Sequence, residues 1–312
     1  MKPSSNTADM TKGSPVRLIL TFSVPLIIGN IFQQFYNMVD SIVVGNFVGA
    51  NALGAVGACG SLNWLFFSLS SGLGIGIGVI VSQFYGAKRF DKVSETIANS
   101  FYVLISSALV VSILCYLIAP AVLRLLKTPD DIINDSITYM RTTCLGIVAI
   151  SLYNGVSSIL RALGDSKTPL YFLILSSICN VLLDLLFVIS FGWGVFGVAF
   201  ATILSQALSA VVSLFYAFKK ISYFHLTKKQ LKPDFLIIKN SYRLGVPIAL
   251  QSSMIAVSCV FLQSIVNSFG STVVSAYTIT NRIEQLINQP YNSIGTALTT
   301  YAGQNIGAGD TE

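Results

Sequence analysis

The chain has 312 residues, of which 53% are hydrophobic and only 10% are charged, and its formal net charge is +6. Its mean hydropathy is +0.72. Soluble domains carry about 25% charged residues, so this composition excludes a soluble enzyme or a disordered chain and indicates a protein that lies mostly in lipid. The basic residues lie in short connectors, which argues against a nucleic-acid-binding face. The sequence has one histidine, His225, and no C-x-x-C pair, so it offers no zinc ligand set.

Eight apolar segments are long enough for a helix that crosses a bilayer, which needs about 20 residues. The predicted spans are 17–44, 52–82, 94–119, 134–160, 168–190, 195–218, 240–267 and 273–299. Turn-rich patches at Gly45–Asn51 and Gly192–Gly194 divide the longest apolar regions. Because the runs are continuous rather than alternating, they predict helices and not barrel strands. The predicted fold class is therefore all-α, a polytopic membrane helix bundle.

The basic residues predict the orientation of this bundle. All but four of the 19 Lys and Arg residues fall in loops on the same side as the N-terminus; the exceptions are Arg124, Lys127, Arg141 and Arg282. Short cytoplasmic loops are enriched in Lys and Arg. We therefore expect a multi-pass protein of the plasma (cytoplasmic) membrane with a cytoplasmic N-terminus.

The end of the chain repeats its beginning. Three residues just after the second span recur just after the eighth at a constant offset of 221 residues: Gln83, Gly86 and Ala87 match Gln304, Gly307 and Ala308. An even number of spans separates the copies, so they are parallel and related by an axis along the membrane normal.

The repeat predicts three regions. We expect a six-helix N-terminal lobe over residues 1–218, a basic cytoplasmic connector over 219–239, and the first two helices of a repeated C-terminal lobe over 240–312. A full second copy would need four more helices, so we expect a truncated form of a twelve-helix protein. The alternative is a parent protein with eight helices.

Several motifs in order along the chain resemble the multidrug and toxic compound extrusion (MATE) family, and most of all its DinF-like branch. They are PLIIGNIFQQFYNMVDSIVVG at 25–45, SQFYGAK at 82–88, LRALGDSKTP at 160–169, NVLLD at 180–184, GVFGVAFAT at 194–202 and QNIGAGD at 304–310. The sequence departs from the family in lacking the last four helices. The resemblance implies a helical transporter in which cation entry alternates with drug exit.

Charged groups at bilayer depth are costly, so Asp40 and Asp184 require an explanation. Counting about 1.5 Å per residue from the nearest span ends places both acids and Thr202 at a similar depth below the outer surface. Asn180 lies four residues before Asp184 and shares its helix face. Two carboxylates in a medium of low dielectric constant cannot both stay ionised without a cation. The cluster therefore holds a proton or its oxygens ligate Na⁺, and the alternative is a purely structural hydrogen-bond knot.

Other polar residues are candidates for the same cavity. Tyr36 lies four residues before Asp40 and Gln34 lies deeper in the same span, while Tyr139 and Asn154 are on the fourth span. The family resemblance implies that Pro25, Tyr36, Tyr139 and Asn154 take part in helix bending or in the polar network. The alternative for the tyrosines is an interfacial aromatic belt.

A third acid, Glu284, lies in the eighth predicted span with Arg282 two residues before it. Residues at this spacing do not face each other on a helix. They are candidates for a second-lobe cation site or substrate anchor, or for partners of helices that this chain lacks.

The predicted function is a secondary active antiporter that exports amphipathic organic cations in exchange for H⁺ or Na⁺. Acids and aromatic residues suit cationic, ring-bearing drugs or toxins. The alternatives are a lipid-linked oligosaccharide flippase and a non-transporting membrane subunit. An enzyme is not expected, because the spans hold no nucleophile–base motif. We expect no cofactor beyond Na⁺ as coupling ion, no nucleic-acid partner, contact with membrane lipid and no obligate protein partner.

Overall fold

In the computed structural model the described residues are 7–126, 128–267, 269 and 271–310; a few side chains inside the helices, including that of Arg282, lie outside this description. The described residues form nine α-helices. They are α1 (Pro15–Val43), α2 (Ala50–Gly86), α3 (Phe90–Leu125), α4 (Ile133–Leu145), α5 (Ile147–Ala162), α6 (Lys167–Leu185), α7 (Gly194–Lys220), α8 (Phe235–Asn267) and α9 (Ser271–Ala308).

The structure confirms the all-α membrane bundle. Within the described residues, five segments are long and apolar enough to cross a membrane, and a sixth is obtained when α4 and α5 count as one span. The helices α8 and α9 have 33 and 38 residues. Both are longer than the roughly 20 residues that a membrane crossing needs.

The predicted fourth span is not one straight helix, which corrects the sequence prediction. It consists of α4 and α5, bent by 48° at the break between them. Gly146 occupies the break, and a Cβ at that position would lie 2.7 Å from Cγ1 of Ile203 in α7. The missing side chain therefore lets α7 pack into the bend, and glycine is a common site for such kinks.

Other helix ends differ from prediction by a few residues. The break at Gly45–Asn51 is confirmed, and Gly49 adopts a left-handed φ of 120° between α1 and α2. The basic connector is shorter than predicted, because α7 continues to Lys220 and α8 begins at Phe235. The last helix continues to Ala308, well past the predicted end at 299. The division into lobes remains a prediction.

The helix α2 lies at the centre of the bundle and packs on α8, α5, α9 and α3. Small residues allow the backbones to approach closely: Gly72 lies against Ala249, and Gly76 against Gly245. Close approach through small residues is the usual way in which helices associate in lipid.

At one end of the bundle the two copies of the repeat meet. We call this end the basal face; it holds the start of α1, the α2–α3 and α5–α6 turns and the end of α9. There Gly86 lies directly against the backbone of Gln304, and Gly307 lies directly against the backbone of Gln83. These two contacts exchange under the 221-residue offset, as expected for two copies related by a twofold axis.

Candidate functional site

The two intramembrane acids lie near the opposite end of the bundle, each just before a change of helix type. Asp40 lies in the last turn of α1, which continues as a π-helical turn over Val44–Val48. Asp184 is the next-to-last residue of α6, which continues as a π-helical turn over Leu186–Ser190. The two π-turns contact each other. Such turns are rare and concentrate at functional sites, and the sequence analysis did not predict either of them.

Asn180 connects Asp184 to α7. With its amide oriented to satisfy both neighbours, Asn180 Nδ2 donates to Asp184 Oδ2 at 2.9 Å, and its side-chain oxygen accepts from the backbone N–H of Thr202 at 3.2 Å. Asn180 and Asp184 are 1% and 0% exposed. The structure therefore brings together three of the four residues predicted to form the cation site.

The fourth predicted residue, Asp40, completes the cluster from α1. Its carboxyl group lies within hydrogen-bonding reach of the carboxyl group of Asp184. The side chain of Tyr36, one turn below, lies within hydrogen-bonding reach of that of Thr202. Tyr139 is 7% exposed and lies close enough to both acids and to Tyr36 to interact with them electrostatically.

Each acid in this cluster has one oxygen that lacks a donor. Oδ1 of Asp40 and Oδ1 of Asp184 are buried, and neither has a hydrogen-bond partner among the described residues. An unpaired buried carboxylate oxygen is costly. A proton shared between the two carboxyl groups would supply the missing donor. A Na⁺ ion would instead accept both oxygens as ligands, with neutral oxygens of Tyr36 or Thr202 beside them.

The remaining predicted residues are not joined to this cluster. Gln34 lines a separate cavity of about 580 Å³ between α1 and α9, together with Met38 and Gln285. Asn154 makes no side-chain hydrogen bond to the cluster within the described part of the chain, and its backbone faces Gly74 of α2.

Two further predictions concern helix bending and the second lobe. Pro25 is buried inside α1, which continues through it as an α-helix. Glu284 is exposed on α9 and has no ion pair among the residues that the structure describes. The side chain of Arg282 lies outside the described residues.

Comparison with known proteins identifies the family. A family model described as MatE matches residues 25–186 and 247–312. The chain belongs to the MATE family. Among MATE relatives it is 35% identical over 305 residues to the probable multidrug resistance protein YpnP of Bacillus subtilis (strain 168), and 30% identical over 311 residues to YoeA of the same strain. Each alignment covers 97% of this chain and 67% of the relative, so the chain spans about two thirds of the length of these MATE proteins.

Solved structures agree with this MATE assignment. One described as the outward-facing conformation of a multidrug resistance MATE family transporter matches with a TM-score of 0.92 at 26% identity. The match covers 99% of this chain and 69% of that one. A transporter of the MOP superfamily from Pyrococcus furiosus gives the same TM-score, identity and coverage.

Proposed function

We propose that the protein is a secondary active multidrug antiporter and that Asp40, Asp184, Asn180 and Thr202 form its cation-coupling site. The observation that carries this proposal is the pair of adjacent buried carboxyl groups, each with one oxygen that lacks a donor. The names of the relatives YpnP and YoeA, both probable multidrug resistance proteins, support the transport function.

The position of the site explains how cation binding would be coupled to movement. Asp40 is on α1, Asp184 and Asn180 are on α6, and Thr202 is on α7. A proton or Na⁺ that removes the repulsion between the two acids stabilises the packing of α1 against α6. Departure of that cation favours an arrangement in which the two carboxylates separate. A ligand shifts such an equilibrium only through its different affinity for the two arrangements.

The proposed substrates are amphipathic organic cations. The cavity between α1 and α9 is large enough for a small molecule, and its lining combines Gln34 and Gln285 with Met38 and aliphatic side chains. The negative charge of the two acids would attract a cationic drug into the bundle. The drug would then compete with H⁺ or Na⁺ for these carboxyl groups, so that one cation is exchanged for the other. The cytoplasmic N-terminus predicted from the basic loops would place the basal face inside the cell.

The proposal can be tested with purified protein in proteoliposomes loaded with ethidium. An imposed pH gradient or Na⁺ gradient should drive ethidium movement in the wild type. Asp184→Asn should reduce gradient-driven transport to the level of protein-free liposomes. The matched control is Asp131→Asn in the exposed α3–α4 loop, which should transport like the wild type. Undiminished gradient-driven transport by Asp184→Asn would contradict the assignment of the coupling site.

A further inference from the structure

A short segment before α1 lies across the two copies of the repeat at the basal face. We call residues 8–10 the strap. The side chain of Met10 is 1% exposed and packs with Phe22 of α1 and Ala297 of α9. A methionine in a polar stretch before the first span is thus one of the most deeply buried side chains of the described structure.

Backbone hydrogen bonds fasten the strap on both sides. The N–H of Ala8 donates to the carbonyl oxygen of Gly164, in the α5–α6 turn, at 3.0 Å. The N–H of Met10 donates to Oε1 of Gln304 at 3.0 Å, and its carbonyl oxygen accepts from Nδ2 of Asn305 at 3.1 Å. The strap therefore joins the α5–α6 turn to the end of α9.

The groups that hold the strap are themselves connected. Nε2 of Gln304 donates to the carbonyl oxygen of Ala162, at the end of α5, at 2.8 Å. Gly164 has a left-handed φ of 89°, and a Cβ there would collide with the backbone of Ala8. The hydrogen bond of Gln304 joins α9 to α5, and the missing side chain of Gly164 lets the strap pack directly on the α5–α6 turn.

The second copy of the repeat does not make the equivalent contact among the described residues. The counterpart of the strap, 221 residues later, lies in the connector and packs on α3 instead: the hydroxyl of Tyr102 donates to the carbonyl oxygen of Leu231 at 2.8 Å. Gln83 is the counterpart of Gln304, and no side-chain hydrogen bond joins it to the connector within the residues described. Within the described residues, the strap contact is therefore present in only one of the two copies of the repeat.

Opening of the basal face would have to separate α9 from α1 and from the α5–α6 turn, and the strap lies across this seam. We propose that the strap is a latch that holds the basal face closed and that its release allows this face to open. This inference rests on the proposed transport function, in which the two faces open alternately. The buried Met10 side chain and the three hydrogen bonds made by the strap backbone favour the closed state, because opening of the basal face would break them.

The experiment measures the accessibility of the two ends of the bundle in a cysteine-free background. The reporter at the basal face is Ala297→Cys, which is fully buried beside Met10. The reporter at the other end is Ser41→Cys, in the cavity between α1 and α9. The rate of labelling by N-ethylmaleimide is measured at each reporter in proteoliposomes.

Met10→Ser should increase the labelling rate at Ala297→Cys by about tenfold and decrease the rate at Ser41→Cys, because the two states exchange population. Met10→Leu, which refills the pocket, should restore both rates. Met254→Ser, at a 70% exposed position on α8, is the matched control and should change neither rate. Asn305→Leu removes one fastening without emptying the Met10 pocket, so it tests the latch even when Met10→Ser does not fold.

Two results would overturn the latch. One is an unchanged labelling rate at Ala297→Cys in both Met10→Ser and Asn305→Leu. The other is an increase at both reporters, which would mean general loosening of the bundle rather than a shift between two states. Neither result bears on the coupling site, since Asp184→Asn is tested by gradient-driven transport. Conversely, a failure of Asp184→Asn to affect transport leaves the labelling result interpretable.

Discussion

Asp40 of α1 and Asp184 of α6 face each other with their carboxyl groups within hydrogen-bonding reach, and each retains a buried oxygen without a donor. Asn180 supplies one hydrogen bond to the pair, to Oδ2 of Asp184. A structural hydrogen-bond knot would be expected to satisfy its buried oxygens. The two buried carboxyl oxygens without donors instead favour a site that takes up a cation.

The first prediction concerns cation-dependent stability. Added Na⁺ or a lower pH should raise the melting temperature of the wild type, because a cation that binds only the folded site stabilises it by RT ln(1 + [cation]/Kd), about 2.7 kcal/mol at 100 times Kd. Asp40→Asn places an amide donor beside Asp184 and should make the melting temperature nearly independent of both. The measurement is thermal unfolding in detergent across Na⁺ concentration and pH. A wild-type melting temperature that changes with neither Na⁺ concentration nor pH would favour a purely structural hydrogen-bond network.

The second prediction concerns the amide of Asn180. Asn180→Leu removes the donor to Asp184 and the acceptor for the N–H of Thr202, which should cost about 1–3 kcal/mol of unfolding free energy. The cation concentration needed for half-maximal transport should increase as well. Asn154→Leu is the matched control, since Asn154 makes no side-chain hydrogen bond to the cluster among the described residues. Equal effects of the two substitutions on cation dependence would assign Asn180 no special role.

The third prediction concerns the hydroxyl groups of Tyr36 and Thr202, which lie within hydrogen-bonding reach of each other. Tyr36→Phe and Thr202→Val should each weaken cation-dependent transport, and their combination should cost less than the sum, with a coupling energy of about 1 kcal/mol. Tyr171→Phe, at a 61% exposed position on α6, should have no effect. The double-mutant cycle is measured from transport at subsaturating cation. Strict additivity would show that the two hydroxyl groups act independently.

The fourth prediction concerns the glycines of α2. Gly72→Ala and Gly86→Ala place a Cβ against the backbones of Ala249 and Gln304, so each should lower the unfolding free energy by about 1–3 kcal/mol. Gly57→Ala, in the same helix but with no neighbouring atom within 4 Å, should be neutral or stabilising by about 0.5–1 kcal/mol. Unfolding of the purified proteins by a denaturing detergent gives the comparison. Similar losses at all three positions would mean that close packing is not the reason for these glycines.

The sequence predicted the depth of the site better than its lining. Asp40, Asp184 and Thr202 were expected at a common depth because the helix rise is fixed, and the structure brings them together with Asn180. Gln34 was expected in the same cavity as Tyr36, yet it lines the cavity toward α9. The two residues are only two positions apart, which puts them on different faces of α1.

The amino-acid sequence by itself determined the membrane class, the apolar spans, the turns at Gly49 and Gly192–Gly194, and the repeat. These features depend on local composition and on the fixed geometry of a helix. Only the tertiary structure decided the bend at Gly146, the two π-turns, the reciprocal contacts of Gly86 with Gln304 and of Gly307 with Gln83, and the burial of Met10. Each of these depends on how helices rotate and pack against neighbours distant in the chain, and a helix's own periodicity does not specify that rotation.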